Sequence, residues 1–362
     1  MQQLATTDEL LPGALAHQAL VSGAADSVPP APHGAVTALA EYYSAARQEQ
    51  VERIACPCCG QDDARPFRIA HDRLFGQPGT YQVVRCRQCE MTYTNPRPTL
   101  ASLGRHYPGD YFCYEHPDAL KGIRRLFLGG AIRRLADRRL RMIEQVTGEI
   151  GPSARVCDVG CSYGELLHTM MKRRECSVVG VDFNASMVAN CERRGIAAVN
   201  GTLLDAAFDE QSFDLVTMTE YLEHESNPRR VLQECRRVTR PDGYLVIEVP
   251  RISAPGARLF GNYWSQLDLP RHLMFFTPKT LDRMLRDVGY ETVSVRPVLG
   301  SIGMSLLHVL GYERIGAMTT GDILATLLAT LPLLPLVPLL PEFMFVVARA
   351  VDTPRALPAL AA

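Results

Sequence analysis

The chain lacks an excess of charge of either sign. Its 38 lysines and arginines stand against 39 aspartates and glutamates, for a net charge of −1. No overall field would collect it on nucleic acid or on an anionic membrane, so any such binding would need a local patch. The opening MQQLATTDELLPG lacks a basic start followed by an apolar run, so no signal peptide is expected. Eleven cysteines without such a signal fit a reducing compartment, with the cytoplasm as the expected location. Residues 1–40 contain no Phe, Trp or Tyr, and Pro29, Pro30 and Pro32 cluster there. Such a stretch buries too little apolar surface to offset its ordering entropy. Residues 1–50 are therefore expected to be mostly disordered, with a short helix near 36–53. Residues 323–341 carry no charged residue, a length that would suit a membrane span. Pro332, Pro335, Pro338 and Pro341 fall every third residue, which argues against a spanning helix and matches one edge of a polyproline II turn. An apolar flap, a homodimer contact or an interfacial hairpin remain as readings. Internal repeats are absent.

What is present begins with a rhythm. Strand patterns near 154–160, 177–183, 197–201, 213–220 and 243–250 alternate with helical stretches at 164–174, 185–194 and 228–239. A helix near 278–288, a strand near 291–298 and a last strand, FMFVVARA at 343–350, follow. This alternation predicts an α/β fold with a parallel sheet and helices on both faces. The organisation reads as a cysteine-rich module at 51–115, a basic amphipathic helical linker at 116–150, and a sheet domain at 151–352. An apolar insertion at 301–341 interrupts that domain, and 353–362 form a tail.

In VCDVGCSYGELL, Asp158 sits at the carboxyl end of the first strand of the alternation, where ligands bind in open α/β sheets. The glycine spacing, Gly160 to Gly164, is G-x-x-x-G rather than the G-x-G-x-x-G of a dinucleotide loop. An acid two residues before the first glycine repels phosphate and suits a ligand with positive charge. The next strand ends in VVGVDFN, and its Asp182, 24 residues after Asp158, can accept two ribose hydroxyls. The two acids together point to an adenosine-like ligand that carries positive charge, and S-adenosylmethionine fits both ends.

With VVGVDFNASM, SFDLVTMTEYLEH, RVTRPDGYLVIEVP and FMFVVARA in order, the chain resembles the class I S-adenosylmethionine-dependent methyltransferases over roughly 150–300 and 342–350. The resemblance implies a Rossmann-like seven-stranded methyltransferase sheet whose last strand is antiparallel. It implies that Asp158, Gly160, Cys161, Ser162 and Gly164 wrap the methionine half of the cofactor. Asp182 would bind ribose, Phe183 and Met187 would flank adenine, and Thr202 and Leu203 would lie near its edge. Glu220 and Tyr221 would close the other side. Ser162 departs from the glycine that such loops often carry, and serine tolerates positive φ less well.

Cys56 and Cys59 form one C-x-x-C and Cys86 and Cys89 a second, with 26 residues between the pairs. Two such knuckles make a closed tetrahedral thiolate site, the usual structural zinc arrangement in a zinc-ribbon-like module. Cys58 is a surplus thiol that could compete for the ion. No C-x-x-x-C-x-x-C triplet exists, which excludes radical chemistry on an iron–sulfur cluster. The lead-in YTNPRPTLASLGRHYPGDYF resembles a bacterial methyltransferase group that includes deoxysugar C-methyltransferases.

That resemblance places an acceptor pocket at Glu223, His224 and His272, with a histidine as the general base. Tyr263 and Trp264 could wall a sugar or form a hydrophobic lid. Seven arginines between 124 and 141 surround an apolar stripe of Leu128, Ile132, Leu135, Met142, Ile143 and Val146. The stripe would dock on the sheet; alternatively 121–141 and 301–341 would meet a membrane surface. The reading is a methyltransferase of a small-molecule acceptor, such as a sugar, saccharide or natural-product intermediate. The alternatives are a non-catalytic S-adenosylmethionine-binding or zinc-mediated interaction protein, or a peripheral-membrane enzyme for a lipid-linked or quinone substrate. Nucleic acid is not an expected partner, because N-P-P-Y is absent and the charge is wrong.

Overall fold

The computed structural model describes residues 50–107, 129–300, 302–311 and 337–351, with single residues at 321, 324, 328 and 331. The predicted disordered segment, the first part of the linker and the tail lie outside the described residues, apart from Gln50. Seven strands form the main sheet: β6 (Arg155–Val159), β7 (Ser177–Asp182), β8 (Ala197–Asn200), β9 (Phe213–Thr219), β10 (Thr239–Pro250), β12 (Tyr290–Leu299) and β13 (Pro341–Ala350). Their order across the sheet is β12-β13-β10-β9-β6-β7-β8. The first five in sequence pair in parallel, and β13 runs antiparallel to both β10 and β12. The order reverses beside β6, so the crevice opens at the carboxyl ends of β6, β7 and β9, the switch point of such sheets.

The central strands read as unbroken apolar runs because helices cover both faces. Leu245, Val246, Ile247 and Val249 on β10 are all fully buried. The helix Pro228–Val238 buries Val231, Leu232, Cys235 and Val238 on one side and carries Arg230, Arg236 and Arg237 elsewhere. Asn227 caps its start by accepting from the Arg230 amide. Helix Gly130–Thr147 docks through Ala136, Leu140 and Ile143 onto the core that holds Leu166, Leu167 and Met170. The described part of the arginine-rich segment thus buries its stripe against the sheet domain, centred on Leu140 rather than on Met142.

The N-terminal module is built on β2 (Ala64–His71), β3 (Thr80–Cys86) and β4 (Thr92–Thr94), which pair antiparallel. Its fourth strand, β11 (Met274–Phe275), comes from the other half of the chain and pairs with β4. The two halves share one apolar core, in which Met91 and Tyr93 pack with Leu281, Met284 and Tyr290. The helix expected to reach residue 53 is replaced at its end by the short strand β1 (Val51–Glu52), which pairs with β5 (Arg97–Pro98). In the insertion, helix Ile302–Val309 buries Ile302 and Leu307. The polyproline expectation fails where it is described: Pro338 lies in the 3-10 turn Val337–Leu339, and Pro341 opens β13. No helix among the described residues is long and apolar enough to cross a membrane.

Candidate active site

The loop after β6 is shaped by side chains that crowd it. A Cβ on Gly160 would meet the Tyr221 ring at 2.4 Å, and one on Gly164 would meet the Cys191 sulfur at 2.8 Å. Both glycines are also left-handed, with φ of 74° and 72°. Ser162 between them is left-handed too, at φ 49°. Its amide donates to Asp182 Oδ2 at 2.8 Å, which compensates for the strain. Asp182 Oδ1 accepts from the Asn184 amide at 2.8 Å. The second acid of the crevice is thereby held in place by two backbone donors while lone pairs remain for a ligand.

Asp158 is buried, and Thr217 donates to its Oδ1. Burial pushes its carboxyl up to about 7, against the opposing effects of Thr217 and the Arg139 charge. A cationic ligand binds the ionised form. Below pH 7 the free protein must first lose a proton, so affinity should fall by about tenfold per pH unit on the acid side. Titrations with S-adenosylmethionine between pH 5 and 8 should show this slope flattening above about pH 7.5. Asp158→Asn should flatten it throughout and weaken binding. A flat profile in the native protein would remove Asp158 from the ligand shell.

A cavity of about 370 Å³ lies beside this loop. Phe183, Thr202, Tyr221 and His224 line it, as do Leu100, Leu103 and Tyr107 from the N-terminal module. Leu203 does not: it is fully buried in the main core, and Leu204 lines the cavity in its place. Met187 is also buried, with its sulfur 3.8 Å from Ser162 Oγ. The Cys161 side chain turns to Cys191, sulfur to sulfur at 3.8 Å, so only its backbone can face a ligand. Trp264 is a core residue and neither wall nor lid; its indole donates to buried Glu342 at 2.8 Å.

Glu220 is left-handed at φ 56° and is gripped by Arg139 at 2.7 Å. Arg139 also forks onto buried Glu248 at 2.8 and 3.1 Å. Sequence reading placed Arg139 among the seven arginines that surround the apolar stripe of its helix. Its position next to buried Ala136 and Leu140, near one edge of the stripe, is the only signal it carried.

The three acceptor-site candidates converge. The rings of His224 and His272 stand edge to face with centroids 4.6 Å apart. His224 Nδ1 lies 3.1 Å from the Arg271 carbonyl and 2.9 Å from Tyr107 Oη. His272 Nδ1 lies 2.9 Å from the Gln266 carbonyl. Burial pushes the His224 ring down to about 3, and His272 is lowered for the same reason, so both are neutral at physiological pH. Glu223 is buried, and among the described residues neither carboxyl oxygen has a hydrogen-bond partner.

The module holds this pair. Thr94 Oγ1 donates to the His272 carbonyl at 3.0 Å, and Leu273 donates to the Glu223 carbonyl at 2.8 Å. Arg271 is fully buried and pairs with Asp72 at 2.7 Å, with Asp268, and with the His106 carbonyl at 3.1 Å. Tyr107, Asp72 and Arg271 were not legible as site residues, because Tyr107 meets His224 across 117 positions and Asp72 meets Arg271 across 199.

The four module cysteines also converge. Cys56 and Cys89 sulfurs are 3.5 Å apart, Cys59 and Cys86 sulfurs 3.6 Å, and all four lie within 4.8 Å of one another. Zinc–sulfur bonds of about 2.3 Å at tetrahedral angles require sulfurs about 3.8 Å apart, so the set fits a zinc ion. Cys58 is buried beside them, and its carbonyl accepts from Arg229.

A family model described as a methyltransferase domain matches residues 127–295. A ubiquinone biosynthesis O-methyltransferase from Pseudomonas paraeruginosa is 30% identical over 177 residues, 45% of this chain and 73% of that protein. Its counterpart from Cupriavidus pinatubonensis is 28% identical over 171 residues, 44% of this chain and 68% of that protein. Among solved structures, geranyl diphosphate C-methyltransferase from Streptomyces coelicolor A3(2), crystallised with S-adenosyl-L-homocysteine, is 15% identical. It covers 60% of this chain and 77% of that one, with a TM-score of 0.44.

Proposed function

The chain belongs to the S-adenosylmethionine-dependent methyltransferases, and from that premise we propose that it methylates a small molecule held against His224 and His272. The observation that carries this reading is the neutral, edge-to-face histidine pair, one member of which lines the same cavity as Phe183, Thr202 and Tyr221. Asp158 and the 160–164 loop would take the methionine end of the cofactor, and Asp182 its ribose. The sulfonium supplies an already activated methyl group, so the protein's task is alignment and proton removal.

Because His224 and His272 are neutral, each has a ring lone pair to accept the acceptor's proton. His272 is the better destination. Asp268 Oδ2 lies 3.8 Å from its Nε2 and would offset the charge that arrives, as it already raises the ring against burial. Four cysteine thiolates would hold a structural zinc ion with no open coordination position. The acceptor we favour is a sugar, saccharide or natural-product intermediate, and the site is reached from the cytoplasm.

A phenolic or quinone-type acceptor is the second reading. The apolar lining of the cavity, Leu100, Leu103, Val181 and Val231, favours it.

Turnover tests the proposal. S-adenosylhomocysteine should accumulate with nucleotide sugars or phenols as acceptors. The double change His224→Ala, His272→Ala should lower that rate by about 10²- to 10⁴-fold while cofactor affinity stays within a few-fold. Undiminished turnover in the double variant would sink the histidine role.

A further inference from the structure

Glu223, His224 and His272 together have the features of a divalent-cation site. One ligand atom from each lies within 4.8 Å of the others. Ligand bonds of about 2.1 Å draw donors to roughly 3–4 Å apart, so a small contraction would close the set on an ion. Three further observations point the same way.

First, Glu223 is 1% exposed, and neither of its carboxyl oxygens has a hydrogen-bond partner among the described residues. A buried carboxyl without donors is costly unless a proton or a cation accompanies it. Second, both histidines turn Nδ1 to a backbone carbonyl, of Arg271 at 3.1 Å and of Gln266 at 2.9 Å. Nδ1 of His224 also meets the Tyr107 hydroxyl at 2.9 Å, which can accept the same hydrogen or donate its own. A carbonyl only accepts, so Nδ1 of His272 carries the hydrogen and its Nε2 keeps the lone pair. This is the outer-shell arrangement that prepares histidine for a metal. Third, the surroundings favour a cation. Arg271, the adjacent guanidinium, is paired with Asp72 and Asp268, and Asp268 Oδ2 stands 3.8 Å from His272 Nε2.

We propose that Glu223, His224 and His272 bind a divalent first-row ion of the Mn²⁺ or Fe²⁺ class. Two imidazoles and one carboxylate leave open positions on such an ion, which suit an acceptor with an oxygen donor such as a hydroxyl or vicinal diol. This deepens the acceptor-site reading above and rests on it for the ion's purpose, not for its presence; with the ion bound, the histidine lone pairs would hold it, and the two rings would act as ligands instead of proton acceptors.

The test uses the full chain with its cysteine cluster loaded with zinc, which thiolates prefer over manganese. The solution electron-paramagnetic resonance signal of free Mn²⁺ disappears on binding. The native protein should take up one equivalent of Mn²⁺. Glu223→Gln and, independently, His272→Ala should each weaken uptake at least tenfold while S-adenosylhomocysteine affinity, which reports a folded cofactor site, stays unchanged. Native protein that leaves the Mn²⁺ signal intact would overturn the proposal, as would two variants that take up the ion as tightly as the native chain. Binding is read without turnover. A negative result together with histidine-dependent methyl transfer would therefore leave the methyltransferase reading standing and remove only the ion.

Discussion

Stripping the zinc ion proposed for Cys56, Cys59, Cys86 and Cys89, or changing Cys86 to Ser, is expected to abolish methyl transfer and not only to unfold the module. A structural zinc ion on four thiolates contributes on the order of 10 kcal/mol to the fold that holds it. That fold is not separable from the site. Its sheet includes Met274–Phe275, Thr94 holds the His272 carbonyl at 3.0 Å, and Leu100, Leu103 and Tyr107 line the cavity. The single tryptophan is a convenient reporter. Trp264 packs in one cluster with Ala70, Tyr81 and Val83 of the module. Zinc-depleted protein should show a red-shifted Trp264 emission and S-adenosylhomocysteine production reduced at least a hundredfold, both restored by added zinc. Metal-free protein that keeps native emission and turnover would show that the module stands without the ion.

The second large effect is expected at Arg271. It is fully buried between two carboxylates, Asp72 from the module and Asp268 from the sheet domain, whose side chains are 0% and 7% exposed. Deleting one partner of such an array leaves uncompensated buried charge, and the cost is about 3–5 kcal/mol. Arg271→Ala should therefore lower the melting temperature by about 10 °C, read by circular dichroism. It should also reduce kcat far more than it weakens S-adenosylmethionine binding, because the residue precedes His272 while the cofactor loop lies on a different strand. Arg271→Lys keeps the charge but loses the planar fork, and should fall between. Native-like stability and kcat in Arg271→Ala would mean that water replaces the guanidinium.

The sheet domain was legible because its signals are local. Apolar runs bounded by Asp158, Asp182 and Glu220 marked strand ends, and seven strands appear within a few residues of their expected places. Strand spacing and helix periodicity are short-range properties of the backbone, so one sequence suffices to read them. The C-x-x-C pairs were legible for a related reason: each pair lies within one tight turn, and only the closure of the two pairs needs the fold.

Side-chain direction and long-range pairing were not legible. Leu203 and Leu204 are adjacent, and nothing local says which one turns to the core. Ser162 was an open question until its left-handed φ and its bond to Asp182 were seen. Arg139 looked like one of seven arginines around an apolar stripe, yet it reaches Glu220 and Glu248, 81 and 109 positions away.

By itself, the sequence determined the class of sheet, the cofactor-binding edge and the two cysteine knuckles, because each is set by residues near one another along the chain. Only the tertiary structure decided that the module supplies Tyr107, Thr94 and Asp72 to the histidine pair and that the Glu223 carboxyl has no hydrogen-bond partner among the described residues. Those facts depend on contacts between segments more than a hundred residues apart, which packing alone brings together.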